Sequence, residues 1–247
     1  MSKKCNLKPL TDLHERNFID EVFDMVYYIN MKKDTHRDEN MKAFMKEHNI
    51  KRYSRVDGQV VDHKTVNPHL YRNFNMNEPG ELAENETRKS WAERYINGGL
   101  GCRLSHLLTI SNAKENNYKQ ILILEDDIES TEFLLNDLLL TNIGNIQQFD
   151  MLFFGGMEEQ HFRNQIVQTH AYGLNEILYD DILLMGEASG MEIDNFYAKI
   201  IQQMSRNDRP GGQYIVKKVE PFNSIIQRND KFESNINTEV ERNVRYV

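Results

Sequence analysis

The chain has 247 residues, of which 39% are hydrophobic and 28% charged, and its formal net charge is −8. That length can bury a core for one large domain or two small ones, and the apolar content excludes a disordered chain. The acidic balance argues against a nucleic-acid backbone or an anionic membrane as the main partner.

MSKKCNLKPL, the N-terminus, has no apolar h-region, and no apolar run approaches the ~20 residues of a membrane span. Neither a signal peptide nor a membrane span is expected, and the expected location is cytoplasmic. The two cysteines, Cys5 and Cys102, lie in a polar stretch and a Gly-rich segment. A disulfide framework is not expected from them, and a reducing compartment is.

FDMVYYIN (23–30) is an apolar and aromatic run of strand length. In the following segment, 34–50, Met41, Phe44, Met45 and His48 recur at helical spacing, with Asp34 placed to cap the helix. RYSRV (52–56) is a second strand that ends at the turn dipeptide Asp57-Gly58. Strand, helix and strand in that order predict a βαβ unit, and so a parallel sheet with helices packed on it.

Residues 59–98 have no clean period; one helix is expected over 84–95 within an irregular excursion. LGCRLSHLLTISNAKEN (100–116) places Leu100, Leu104, Leu107, Leu108 and Ala113 on one helical stripe. ILIL (121–124) is a buried strand, with a helix expected over ESTEFLLNDLLL. Further strands are expected at DMLFFGG (150–156), VQTHAYGL (167–174) and YIVKKVEPF (214–222). Helices are expected around NEILYDDILLMG and EIDNFYAKIIQQM, and the tail beyond Lys231 is polar.

The ILIL strand runs straight into Glu125, Asp126 and Asp127. In open α/β sheets, ligands bind beyond the carboxyl ends of the strands. Residues i and i+2 of an extended segment point the same way, so Glu125 and Asp127 can converge on one hard divalent cation. Such a cation would neutralise a departing diphosphate. A single Asp capping the next helix is the bland alternative, although three adjacent acids repel one another. Spacing alone leaves capping, metal binding and a phosphotransferase site open.

Taken together, YYINMKKDTHRDENM, RVDG, GGLGCRLSHLLTISNA, ILILEDDI, FDMLFFGG and HAYGLN resemble, in order, the blocks of glycosyltransferase family 25. That family holds bacterial lipopolysaccharide galactosyltransferases and procollagen galactosyltransferases. The resemblance runs from about residue 23 to 175, and more loosely to about 240. The pairing of GC-LSH with LEDD is its most specific part.

The resemblance implies a GT-A fold, UDP-sugar donors and Mn²⁺ or Mg²⁺. By it Asn30 and Arg37 fall at the nucleotide end of the first βα turn, where a guanidinium can pair with phosphate or stack on uracil. Asp57 and Gly58 match the "DG" block that meets uracil or ribose. Gly98, Gly99 and Gly101 are expected before a helix N-terminus, with backbone amides open to phosphate; Gly99 stands where the family usually has Glu. Ser105 and His106 match the "SH" pair. Spacing alone makes His106 a hydrogen-bonded core histidine, and the motif puts it near the donor as an orienting group.

Glu125 and Asp127 inherit the metal role and Asp126 a ribose or sugar contact. His170 and Tyr172 match a strand that borders the sugar. MEIDNFYAK resembles a block that places Asp194 in the pocket as the base of an inverting transfer. Ser234-Asn235 replace an acid usual near the end.

These expectations amount to an α/β, GT-A-like nucleotide-binding sandwich with a mostly parallel central sheet flanked by helices. It would span residues 23–230, between an N-terminal extension (1–22) and a polar tail (231–247). Its expected function is metal-dependent transfer of galactose or glucose from a UDP-sugar to a glycan or hydroxylated protein. A non-catalytic binding protein of the same fold and another metal-dependent nucleotidyl or phosphoryl transferase are the alternatives. The acceptor, the donor sugar and the oligomeric state are not legible.

Overall fold

The computed structural model describes residues 18–76, 86–130, 135–142, 146, 148–159, 165–204 and 214–227. Its centre is a six-stranded sheet in the order β2-β1-β3-β8-β5-β9. The strands are β1 (Met25–Asn30), β2 (Tyr53–Asp57), β3 (Gln120–Glu125), β5 (Met151–Phe153), β8 (Ala171–Asn175) and β9 (Val216–Lys218). β1 runs parallel to both β2 and β3, and β5 runs parallel to β9; only β8 is antiparallel to its neighbours. The sheet is therefore mixed and mostly parallel, as expected.

Side-chain alternation explains why these segments are buried on both faces. Val26 and Tyr28 of β1, with Leu122 and Leu124 of β3, point into one core. Tyr27 of β1, with Ile121 and Ile123 of β3, points into the other. The first core is closed by α1 (Phe18–Val22), α2 (Thr35–Glu47) and α4 (Leu135–Thr141), through Ile19, Met41, Met45 and Leu139 among others. The second is closed by α3 (Arg88–Glu115), α5 (Tyr179–Ser189) and α6 (Ile193–Lys199), through Ile110, Ile182 and Phe196. Helices thus flank the sheet on both sides, which is how an apolar two-faced sheet is removed from water.

Four expectations need correcting. The helices expected over 84–95 and 100–116 are one helix, α3, of 28 residues. It starts at a capping box: Ser90 N–H donates to Thr87 Oγ1 (3.1 Å), and Thr87 N–H donates to Ser90 Oγ (3.0 Å). Its glycines do not break it, and they do not precede its N-terminus. A Cβ at Gly99 would lie 2.6 Å from the Phe74 ring, and one at Gly101 would lie 2.4 Å from the Gln59 carbonyl oxygen. Each glycine costs a helix roughly 1 kcal/mol relative to alanine, and here that cost is offset by the close approach of residues 59–74. Mid-helix amides are engaged in the helix, so they are not open to a phosphate.

The helix expected over ESTEFLLNDLLL begins later. β4 (Ile128–Ser130) follows the acidic triplet and pairs antiparallel with β10 (Ile225–Gln227); the described helix α4 starts at Leu135. The VQTHAYGL run is split between β7 (Gln165–Val167) and β8, because Gln168 sits at φ 76°, which ends an extended segment. β7 pairs with β6 (Met157–Glu159) in a separate hairpin. The expectation about Ser234-Asn235 lies outside the described residues.

Candidate active site

β1 and β3 are parallel neighbours with Ile29 beside Glu125, so Asn30 and the acidic triplet emerge together at the carboxyl ends of the sheet. β2 lies on the other side of β1. The chain thus turns to opposite sides around β1, and a crevice forms at such a switch point. Because the triplet precedes β4 and not a helix, helix capping does not account for it.

Asp126 is held on both oxygens. Asn30 Nδ2 donates to its Oδ2 (2.7 Å) and Arg37 Nη1 donates to its Oδ1 (2.8 Å), while Asn30 Nδ2 also reaches the Asp34 carbonyl (3.1 Å). All three side chains are buried. Burial still leaves the Asp126 carboxyl above its usual range, against the pull of Arg37 and Asn30. This is a charge-assisted clamp that ties the start of α2 to the triplet.

Asp127 is less well provided for. Its Oδ2 accepts from Gln227 Nε2 (3.0 Å) and lies 3.9 Å from Arg37 Nη1, but its Oδ1 is buried without a hydrogen bond. Burial first, then Glu125 and Asp126, pushes its pKa up to about 7. A buried carboxylate oxygen without a hydrogen bond, next to two more carboxylates, is a position that a cation would stabilise. Asp127 Oδ1 therefore fits a hard divalent ion, but the expected convergence of Glu125 on the same ion is not seen: β3 ends at Glu125 and residues 126–127 form a turn, so the two side chains do not alternate along one extended segment.

Glu125 faces the other way, toward α3. Its Oε1 accepts from Thr169 Oγ1 (3.0 Å) and lies 3.4 Å from His106 Nε2, which makes no hydrogen bond. Burial pushes the Glu125 pKa up, but His106, His170 and Thr169 outweigh it and hold the carboxyl below its ordinary value. His106 Nδ1 is 2.7 Å from the Tyr172 hydroxyl, which lies 3.2 Å from that of Tyr197. Cys102, one turn before His106 on α3, completes a group whose donor atoms lie within 4.8 Å of one another: Cys102, His106 and Glu125. Burial, then Glu125, Asp194 and Asp127, drives the Cys102 thiol well above its usual pKa. That thiol is not an activated nucleophile.

A cavity of about 540 Å³ opens in front of the triplet. Of the residues expected to bind ligand, Arg37, Gly58, Ser105, His106, Glu125, Asp126 and Asp127 line it. Ser105 Oγ accepts from Gln59 N–H (2.8 Å) and donates to the Gly101 carbonyl (2.7 Å), pinning the 59–61 wall onto α3. Gly58 N–H donates to the Asn30 carbonyl (2.9 Å). Gly98 and Gly101 also line the cavity, by the space they leave.

Asn30 stands behind Asp126. Asp57, beside Asn30 in the sheet register, has a largely exposed carboxylate paired with Arg55 Nη2 at 3.1 Å. His170 and Tyr172 are buried beneath the cavity; His170 Nε2 is 2.9 Å from the Ile225 carbonyl oxygen. Asp194 lies in the first turn of α6, off the cavity wall, and its Oδ1 accepts from Asn195 N–H (2.7 Å). Sequence reasoning missed Lys33, Arg94, Cys102 and Gln227, all of which line the cavity. For Cys102 a signal existed: it stands four positions before His106, and a helix puts such a pair on one face.

The family model for glycosyltransferase family 25, described as an LPS biosynthesis protein, matches residues 23–218. No curated protein matches the chain. Among solved structures, a glycosyltransferase involved in the glycosylation of the major capsid of PBCV-1 is similar at 12% identity. That alignment covers 78% of this chain and 80% of the other, with a TM-score of 0.39. Among the described residues no helix is long and apolar enough to cross a membrane. With the match covering most of its length, this chain belongs to glycosyltransferase family 25.

Proposed function

We propose that the chain moves galactose or glucose from a UDP-sugar to a hydroxyl of a glycan or hydroxylated protein, with inversion, on a GT-A-like framework that uses Mn²⁺ or Mg²⁺. The observation that carries this reading is the position of the cavity. It sits at the carboxyl ends of the parallel strands, with Glu125, Asp126 and Asp127 on one side and the cations Lys33, Arg37 and Arg94 also on its wall. A nucleoside diphosphate-sugar needs both: basic groups for phosphate, and carboxylates that accept a divalent ion and hydroxyl protons.

Asp127 would hold the ion, with Glu125 joining it by turning from Thr169 and His106, and the ion would supply charge neutralisation as the diphosphate leaves. Asp126, held on both oxygens by Asn30 and Arg37, keeps the triplet in register. Arg37 faces the nucleotide from the first βα turn, with Asp57 and Gly58 at the next strand end. In an inverting transfer the acceptor oxygen attacks the anomeric carbon as the bond to the diphosphate breaks, and a carboxylate takes the hydroxyl proton. Asp194 is the proposed base; its charge is felt by Cys102 on the cavity wall.

The test is a thermal-shift panel of UDP, UDP-galactose, UDP-glucose and ATP, with and without Mn²⁺, followed by turnover. A shift with UDP ligands that needs Mn²⁺ supports the reading. A larger shift with ATP, or none with any nucleotide, overturns it. Asp127→Ala should remove Mn²⁺-dependent turnover while the circular dichroism stays unchanged.

A further inference from the structure

The oxygen donors of Glu125 and Asp127 leave unexplained the buried imidazole nitrogen on the other side of Glu125. His106 is 1% exposed, and among the described residues its Nε2 has the Glu125 carboxylate at 3.4 Å but no aligned hydrogen-bond partner. A buried polar atom without a partner calls for a ligand, a water or an ion. An ordinary histidine–glutamate pair would place a proton on Nε2 and aim it at the carboxylate; here the two atoms are in ion-pair range at 3.4 Å but poorly aligned for a hydrogen bond.

Three further observations bear on the same point. Cys102 and His106 are i and i+4 on α3, so both side chains project from one face toward the end of β3. The donor atoms of Cys102, His106 and Glu125 lie within 4.8 Å of one another. Two ligands on one tetrahedral zinc stand roughly 3.3 Å apart when each bond is about 2.0–2.1 Å, close to the His106–Glu125 separation. Both of these ligands also have outer partners: the Tyr172 hydroxyl on His106 Nδ1 (2.7 Å) and Thr169 Oγ1 on Glu125 Oε1 (3.0 Å). An Nδ1–H donated to Tyr172 leaves the Nε2 lone pair free to bind a cation.

We infer that Cys102, His106 and Glu125 form a three-ligand site for a borderline divalent cation of the zinc and cobalt class. Its fourth position faces the cavity, because all three residues line it. A thiolate and an imidazole select such ions over Mg²⁺ or Mn²⁺. Three protein ligands with one open position is the pattern of a site that exchanges water for substrate. The site shares Glu125 with the hard-ion position but does not depend on the sugar-transfer reading. Tyr172 and Thr169 are its positioning residues.

The experiment takes the full chain, stripped with a chelator and titrated with Co²⁺. One ion per chain is expected, with visible bands of a tetrahedral ion and a thiolate-to-cobalt charge-transfer absorption, all displaced by Zn²⁺. Cys102→Ser should abolish the charge-transfer absorption. Tyr172→Phe should weaken Zn²⁺ binding about 10–100-fold while the far-ultraviolet circular dichroism is retained. Asp127→Asn should leave the cobalt spectrum unchanged. Cobalt bound without the charge-transfer absorption, a Cys102→Ser spectrum identical to wild type, or loss of the spectrum in Asp127→Asn would each overturn the proposal. UDP-sugar turnover is scored separately: a chain with this spectrum and no turnover refutes sugar transfer alone.

Discussion

Asp126 and Asp127 are neighbours in sequence, equally buried, and oppositely served by their surroundings. Asp126 has both oxygens occupied, by Asn30 and Arg37, whereas Asp127 has one oxygen on Gln227 and, among the described residues, no hydrogen bond on the other. A buried carboxylate with complete partners is part of the framework, because its desolvation is offset inside the protein. One left incomplete keeps an electrostatic cost that a bound proton or a ligand relieves. Functional position is therefore better marked by which buried polar atoms lack partners than by how many acids sit together.

The largest effect should come from breaking the complete side. Asp126→Ala takes from the buried Arg37 guanidinium its carboxylate at 2.8 Å and leaves Asp127 Oδ2 at 3.9 Å, and removing one partner of a buried pair costs about 3–5 kcal/mol. Urea melts of the metal-free chain would measure it. A loss below about 1 kcal/mol would mean that the clamp is solvated and the contrast with Asp127 is false.

Asp127 should behave in the opposite sense. Its folded pKa of about 7 lies above the ordinary aspartate value of 3.8, so the folded chain holds that proton more tightly than the unfolded chain. The associated stability is fully present below about pH 4 and is lost as pH rises through about 7. The loss is on the order of 4 kcal/mol, at 1.36 kcal/mol per unit. Asp127→Asn cannot ionise, so with chelator present it should flatten this part of the profile and exceed wild-type stability at pH 8. A variant less stable than wild type at pH 8 would reverse the assignment of Asp127 as the incomplete group.

How much of this contrast could be read from the chain differs by element. MVYYIN and ILILE show as strands because both sheet faces are covered, which leaves uninterrupted apolar runs with acids or amides only at their carboxyl ends. The glycines of α3 mislead, since glycine ordinarily argues against a helix interior. Nothing local reveals that Phe74 and the Gln59 carbonyl need their space. Gly99 shows the consequence: the Phe74 ring fills the place that a side chain would take. Likewise, Gln168 takes a positive φ that no glycine advertises, so one apparent strand becomes two.

Within the site, the acidic triplet is plain in the sequence, but the division of labour inside it is not. Asp126 is completed by residues 96 and 89 positions away, and Asp127 by one 100 positions away. Only the folded sheet decides which acid is satisfied.

A smaller effect tests the single hydrogen bond that Asp127 does have. Gln227, at the end of β10 beside Ile128, holds Asp127 Oδ2. Gln227→Ala should cost about 1–2 kcal/mol, the range for a hydrogen bond to a group that is charged part of the time. Because it also releases the carboxylate from its fixed orientation, Mn²⁺ should bind more weakly, as read by calorimetry. Unchanged Mn²⁺ affinity would remove Asp127 from the ligand set.

The smallest structural effect belongs to Asp57, which sharpens the comparison from the exposed side. It stands at the end of β2 level with Asn30, but its side chain is 61% exposed and its partner is the neighbouring Arg55. An exposed ion pair contributes about 0–1 kcal/mol, so Asp57→Ala should leave the urea midpoint nearly unmoved. If Asp57 accepts from uracil or ribose, the same substitution should still weaken UDP binding about tenfold, the value of one hydrogen bond to a charged group. Loss of UDP affinity without loss of stability assigns the residue to the ligand, because nothing inside the protein depends on it. Equal UDP affinity in the variant and the wild type would put the nucleotide base elsewhere in the cavity and leave Arg37 as the ligand-facing group of this edge.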